Sequence, residues 1–394
     1  MSVAGRVPAP LGSDSHQAGA PMDDDLEPFR AAVATFIDRE FTPHQERWRA
    51  RRQPDPEAWT TAGRAGMLLV DLPETCGGGG GTFAHEAIVV EELAKAGVNF
   101  ANYIQDGVAH YIDSYGTEAQ KRDLLPAMAR GERVGAVALT EPSGGSDLQN
   151  LHTSARRVGD EYVVNGSKTF LTNGLCANLI VLAVRTDPKA PGIRALSLLL
   201  VPTDGLAGFH RGQSLAKVGM HGQDTCEVFF DDVRVPASCL LGEVEGQGFA
   251  QIMDRMVYER LAIAVGAVAT METAVRITSA YVKERPCGEG TLMELQNTRM
   301  KLAECLTKAN VGRVFLDACV EQYLAGRLDP VAAAQAKYWL TDRECEVVDE
   351  CVQLHGGYGY MEEYAIARMW TDSRVHRIYG GANEVLKEMV AWSL

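Results

Sequence analysis

The sequence predicts an α+β chain with segregated layers: an N-terminal α-helical domain, a middle β-domain and a C-terminal α-helical bundle domain. Three observations carry this. Apolar residues recur at helical spacing from Asp23 to about Glu132, the period changes to two between roughly Val134 and Leu241, and the helical period then returns and runs to Leu394. The expected boundaries are a disordered tail at 1–22, a helical domain at 23–133, a β-domain at 134–242 and a bundle at 243–394.

The tail, "MSVAGRVPAPLGSDSHQAGAP", is rich in Ala, Gly, Pro and Ser. It has neither the apolar stretch of a signal peptide nor the arginines of a transit peptide. "LEPFRAAVATFIDREF" then sets Phe29, Val33 and Phe36 on one stripe, and "HEAIVVEELAKAG" repeats the pattern with an apolar face that ends at Gly97. The glycine run Gly77–Gly81 lacks the Lys-Ser/Thr ending of a phosphate loop and reads as a mobile connector. In the middle, "YVVNGSKTFLT" holds an Asn165–Gly166 pair between strand-like runs, a strong hairpin cue. "LIVLAVRT", "ALSLLLVP" and "CEVFFDDVRVP" are rich in branched and aromatic residues, as strands are. Helices resume after "GEVEGQGF", broken by the turn-like "ERPCGEG" and "LHGGYGY". No GxGxxG follows a strand, which removes support from a Rossmann nucleotide fold.

Composition excludes several classes of function. Lys and Arg number 38 against 52 Asp and Glu, a formal net charge of -14, so nucleic acid is not an expected partner. The longest uncharged apolar run, "LAIAVGAVATM" at Leu261–Met271, falls short of the roughly 18 residues that suggest a membrane span and reads as a buried helix. Nine cysteines are scattered without CxxC or zinc-ligand spacing. That pattern implies reduced thiols in a cytoplasmic setting and no metal.

The densest run of candidate functional residues is "ALTEPSGGSDLQNLHTSARRVGDEYVVNGSKTFLTNG", Ala138–Gly174. Thr140, Ser143 and Ser146 supply hydroxyls around Gly144 and Gly145, where a flat or phosphorylated ligand could approach the backbone. Composition alone describes an ordinary polar loop equally well. The segment resembles the signature of the flavin-dependent acyl-CoA dehydrogenases, and the resemblance runs from about Leu26 to the C-terminus. It includes "YGTEAQKRDLLPAMARGE", "KVGMHGQDTCEVFFDDVRVP" and "CVQLHGGYGYMEEYAIARMWTDSRVHRIYGGANEVLKEMVA", in that order. The resemblance implies FAD held between the domains, an acyl-CoA substrate, an electron-transfer flavoprotein as electron acceptor, and a homotetramer whose subunits share cofactor sites.

It also implies site residues. Val137, Leu139, Thr140, Gly145 and Ser146 would lie along the isoalloxazine, with Phe170, Leu171 and Thr172 covering its other side. Phe170 stands where many relatives carry Trp. Gln353, Gly356 and Gly357, with Arg285 and Gln296, would reach the FAD of a neighbouring subunit, while Ala382, Asn383 and Glu384 would meet the cofactor's own phosphate and ribose at a helix start. Ser146, Val257, Tyr258, Arg260, Gly380 and Gly381 are the implied substrate contacts. One departure is "RPCGEG", which puts Gly288 where relatives usually have Phe, weakening the expected intersubunit grip.

The family removes a proton from the carbon beside a thioester, a task suited to a carboxylate whose pKa burial has raised. Many relatives supply it from the position matching Gly380 in "RIYGGANEV", where this chain has no side chain. In the long-chain and isovaleryl branches it projects instead from the long helix that opens the last domain. The matching stretch is "VYERLAIA", with Glu259 before Arg260, and "YGGANE" with "YERL" looks more like the long-chain branch. Ile252, Met256, Glu259 and Ile263 fall on one helix face, so Glu259 sits on an apolar stripe. The bland alternative is a solvated or Arg-paired carboxylate. By resemblance the Gly380 N–H donates to the thioester oxygen. Tyr379 is expected near the thioester, His355 as a packed loop histidine, and Cys287 as inert. Competing functions are an acyl-CoA oxidase or flavin monooxygenase on the same scaffold, or a non-catalytic FAD-binding scaffold.

Overall fold

The computed structural model describes residues 26–187, 189–190 and 192–394, so the expected tail lies outside the described residues. Six helices open the chain: α1 (Leu26–Phe36), α2 (Gln45–Arg51), α3 (Pro56–Arg64), α4 (Phe83–Ala96), α5 (Asn102–Tyr115) and α6 (Glu118–Ala129). Local chemistry sets their ends. Thr82 and Thr117 cap α4 and α6 through reciprocal boxes with His85 and Gln120, and Gly97 stops α4 at φ +66°. Val33 and Phe36 are buried, with Phe29 packed beside them, so the α1 stripe lies where the spacing puts it.

The glycine run 77–81 is not a loose connector. The N–H groups of Gly78, Gly79, Gly80 and Gly81 donate to the carbonyls of Pro73, Leu69, Leu72 and Val70. A Cβ on Gly78 or Gly79 would sit 2.4 Å from the Leu72 oxygen or 2.8 Å from the Val70 oxygen, so these glycines permit close backbone packing.

The sheet has seven strands: β1 (Gly135–Ala138), β2 (Ser154–Val158), β3 (Glu161–Thr172), β4 (Leu179–Arg185), β5 (Leu196–Pro202), β6 (Phe209–Arg211) and β7 (Thr225–Pro236). The order is β1-β4-β2-β3-β7-β6, with β5 antiparallel to the other side of β4. The expected hairpin at Asn165–Gly166 is corrected. β3 runs straight through that pair, and the β2–β3 turn is at Gly159–Asp160, where Val158 faces Glu161. Gly166 sits at φ +144° beside a register shift against β7, and a Cβ there would meet Thr153 at 2.6–2.8 Å. The glycine serves strand packing, not a turn.

The C-terminal elements are α7 (Gly248–Glu284), a short ribbon of β8 (Pro286–Cys287) and β9 (Gly290–Thr291), then α8 (Gln296–Leu324), α9 (Pro330–His355), α10 (Ala365–Ser373) and α11 (Asn383–Ala391). α7 is the central pillar, packed on α4, α5, α8, α9 and α10. It is long and apolar enough to cross a membrane, but 78% of its apolar window is buried in the fold, as the Leu261–Met271 run predicts. Arg313 on α8 reaches Glu91 on α4 at 2.6 Å and Glu272 on α7 at 2.9 Å, and Arg30 on α1 meets Glu91 at 2.7 Å. This network locks the first helices to the bundle. The three-layer order of helices, sheet and helices agrees with the α+β expectation.

Candidate active site

The site starts where β1 ends. Val137 and Leu139 are half-buried against the core, and the next residue, Thr140, is tied to β3 by the Thr169 N–H, which donates to its carbonyl at 2.9 Å. Glu141 is buried and accepts from the N–H groups of His152 (2.7 Å) and Thr153 (2.9 Å) and from Lys168 Nζ (2.9 Å). Lys168 is fully buried and also donates to the Leu139 carbonyl at 3.0 Å. Burial works to raise the Glu141 pKa, but the hydrogen bonds from Thr153, His152 and Lys168 overcome it and hold the carboxyl at about 2. Gly145 and Ser146 are left exposed at the tip of this pinned loop, and nothing within 4 Å faces a Cβ on Gly144.

Opposite, β3 slips register against β7 between Lys168 and Leu171. The slip puts Phe170 at φ +57°, an unfavourable conformation for a bulky side chain, with 68% of its surface exposed while Leu171 beside it keeps 2%. Thr172 is half-buried at the strand end. An aromatic held out of the core at a strained position, on a strand bonded to the pinned loop through Thr169 and Thr140, fits a flat aromatic ligand such as a flavin ring.

Glu259 lies midway along the first half of α7. Ile252, Met256 and Ile263 on its face are all buried, and Tyr111 aims its hydroxyl at Glu259 Oε1 from 3.5 Å. Protein surrounds the carboxyl, yet part of its surface remains accessible. Burial pushes its pKa up to about 7, against the opposing pull of Arg260, Tyr111 and Arg255. One turn further along, Ile263 marks where Gly380 comes in: a Cβ there would be 2.4 Å from Ile263 Cδ1, and Gly380 itself is at φ +63°. The 380 position therefore lies against the face of α7 that carries Glu259. Gly381 follows at φ +92°.

Other residues named from the sequence are placed differently. The Arg260 guanidinium is buried behind the glycines, donating from Nε to the Gly380 carbonyl at 3.3 Å. Tyr258 points to the opposite face, into the core against Phe83 and His110. Val257 is half-buried. The Asn383 side chain is turned fully inward to Tyr338, Thr341 and Asp342, so only the backbone of the α11 start remains for a ligand, next to half-buried Ala382 and exposed Glu384. Tyr379 stacks on His376 at 5.5 Å and, with Tyr103, Ala262 and Ile263, lines a cleft that runs between α4 and α7 past Ala94 and Gly266.

A second, more open cleft gathers Arg285, Gln353, Gly356 and Gly357 with Tyr281 and Tyr358 at the far end of α7 and α9. Arg285 lies over the Tyr358 ring at 5.0 Å. His355 is buried, stacked on Tyr281, with Nδ1 2.8 Å from the Cys351 carbonyl oxygen, the packed histidine expected. Gln296 is exposed at the start of α8, Gly288 turns the short ribbon at φ +64°, and Cys287 is half-buried. Among the described residues no group of His, Cys, Asp and Glu could hold a metal ion.

Three family models match in series: the acyl-CoA dehydrogenase N-terminal domain at residues 23–132, the middle domain at 136–233 and the C-terminal domain at 246–394. The chain belongs to the acyl-CoA dehydrogenase family. It is 42% identical over 367 residues to the mitochondrial long-chain specific acyl-CoA dehydrogenase of Sus scrofa, covering 92% of this chain and 85% of that protein. The acyl-CoA dehydrogenase structure from Geobacillus kaustophilus superposes with a TM-score of 0.92 at 42% identity, covering 95% of this chain and 98% of that one. An FAD complex of the Bacillus anthracis enzyme gives 0.88 at 28% identity over 95% and 68%. As a member of this family the chain is an FAD-dependent oxidoreductase. Its sequence did not single out Glu141, Lys168 or Lys337. The available signal was weak: a lone charged Lys among uncharged residues of a strand or helix, as in "VNGSKTFL" and "AAAQAKYWL".

Proposed function

We propose that Glu259 is the base of an α,β-dehydrogenation of an acyl-CoA thioester, with the reducing equivalents leaving to an electron-transfer flavoprotein. The observation that supports this most is the meeting of Glu259 and Gly380 on one face of α7. There a carboxyl with a pKa of about 7 shares a helix face with Ile263, whose Cδ1 a Cβ at 380 would press on at 2.4 Å. Glu259 takes the proton from the α-carbon. The Gly380 N–H holds the thioester oxygen and stabilises the charge that develops on it. Apolar walls from Ile252, Met256 and Ile263 keep water from the carboxylate.

The FAD fit rests on Phe170 and the loop around Gly145 and Ser146 for the ring, and on the α11 start for the phosphates. When bound, FAD supplies the hydride acceptor for the β-carbon. Leu139, Thr140, Leu171 and Thr172 shape the same wall. Arg285, Gln353, Gly356 and Gly357 form an exposed cleft suited to a neighbouring subunit's cofactor. With Met300, Val311 and Val314 exposed on α8, this supports a homotetramer with shared sites. Nine free cysteines fit a reducing compartment such as the cytoplasm.

The substrate class follows the long-chain relative. Anaerobic titration of the purified yellow protein with acyl-CoAs of graded length and branching tests the reading. Bleaching by long acyl chains is the expected result, and a flavin that stays oxidised with every acyl-CoA would contradict it.

A further inference from the structure

The glycines at 380 and 381 are the least constrained residue type, yet the reading above asks one of them to hold an N–H in a fixed direction. Two buried cations meet their carbonyls. Arg260 Nε donates to the Gly380 oxygen at 3.3 Å, and Lys337 Nζ on α9 donates to the Gly381 oxygen at 2.7 Å and to Asn383 Oδ1 at 2.9 Å. Lys337 has no exposed surface, an expensive place for an ammonium group. Burial, followed by the charge on Arg260, drags its pKa down to about 7, so the fold accepts a real penalty to keep it there. The N–H groups of Gly380 and Gly381 have no acceptor among the described residues.

We infer that Lys337 is a positioning residue: with Arg260 it clamps the Gly380–Gly381 carbonyls so that the Gly380 N–H stays aimed at the thioester oxygen. A trans peptide is planar, with its C=O and N–H pointing in opposite directions. Anchoring the Gly380 oxygen therefore turns the Gly381 N–H away from Arg260, and anchoring the Gly381 oxygen turns the Ala382 N–H away from Lys337. With both planes held on the C-terminal side, and the Tyr379 N–H bonded to the Val375 carbonyl at 3.2 Å on the other, the Tyr379–Gly380 peptide that carries the Gly380 N–H hangs between two anchors, and losing the Lys337 contact loosens one of them. Lys337 Nζ also binds Asn383 Oδ1, which joins the clamp to the start of α11. Without the ammonium the Gly381 carbonyl loses its anchor, and Gly380 has no Cβ to limit the resulting drift.

The inference rests on the Gly380 N–H reading, and the test separates the two. A 3-thia-acyl-CoA has an ionisable α-carbon but no β-hydrogen to give up, so on the FAD-loaded protein it reports enolate stabilisation through a long-wavelength band. In Lys337→Met the expected result is an apparent pKa of the bound analogue raised by about one unit, a roughly tenfold loss of enolate stabilisation. FAD content and analogue affinity should stay within about threefold of the parent protein, as they must if the lysine positions and does not bind. A folded, FAD-replete Lys337→Met that ionises the analogue like the parent overturns the clamp alone. If the parent protein itself never ionises the analogue, the Gly380 reading falls and the clamp with it. Should Lys337→Met fail to hold FAD, Asn383→Ala removes one of the ammonium's two acceptors. It should shift the analogue in the same direction by less, and no shift there also overturns the clamp.

Discussion

At the scale of single residues, Glu259 and Gly380 make opposite demands that the chain meets together. The carboxyl must be desolvated enough to be a strong base yet able to ionise. In the proposed role Glu259 must be deprotonated to act, so kcat/KM should climb as pH rises through about 7 and level off above it, a profile that steady-state assays from pH 5.5 to 9 would check. Stability should run the other way. The folded pKa lies above the unfolded value of about 4.3, so the native state holds the extra proton and stability declines as pH rises from there through about 7. Glu259→Gln removes that penalty. Denaturant melts should show the variant gaining on the parent by on the order of 1–3 kcal/mol between pH 5 and 8. Gly380→Ala should lose about 1–2 kcal/mol from the left-handed backbone alone, and more from the contact with Ile263 Cδ1. Adding Ile263→Val, which deletes that atom, should return only the steric share. The buried setting of Glu259 was legible in the sequence because its apolar stripe is a local fact, whereas its pairing with position 380 came only from the family resemblance. Arg260 and Asn383 were read as ligand contacts although their side chains turn inward, since the direction a polar side chain takes is fixed by partners distant in sequence.

At the scale of elements, the β3 bulge and the Glu141–Lys168 pair build the wall to which the flavin ring is assigned. Lys168→Met leaves a buried carboxylate without its cation and should cost about 3–5 kcal/mol. The sign of the pH effect is fixed by Glu141: its folded pKa of about 2 is depressed, so its contribution is present above about pH 4.3 and is lost as pH falls toward 2. Acid unfolding of the variant, followed by circular dichroism, should start at higher pH than in the parent, with FAD released first. The strand and helix periods were readable because they follow from which residues are apolar. The Asn165–Gly166 pair misled because the same dipeptide that makes a tight turn also permits the close approach of Thr153, and only the neighbouring strand decides between them. The glycine run at 77–81 misled for the same reason.

At the scale of the whole molecule, α7 connects every function described. It carries Glu259, borders the long cleft and ends at Arg285 in the exposed cleft, while Arg313 and Glu91 bind the first helices to it. If the exposed apolar face of α8 is covered by a second copy, Val314→Asp should yield smaller species in sedimentation velocity and FAD loss on dilution. A parent protein that is monomeric and retains FAD when dilute would contradict that assembly. The order of helical, β and helical parts was legible throughout, whereas how they close on each other was not, because pairs such as Arg313 with Glu91 join residues of different parts, far apart in sequence. The central claim is that Glu259 removes the α-proton. Its most direct test is the anaerobic stopped-flow rate of flavin bleaching by a long-chain acyl-CoA in Glu259→Gln with FAD bound. The account predicts a rate roughly 100- to 10,000-fold below the parent, and bleaching at the parental rate would contradict it.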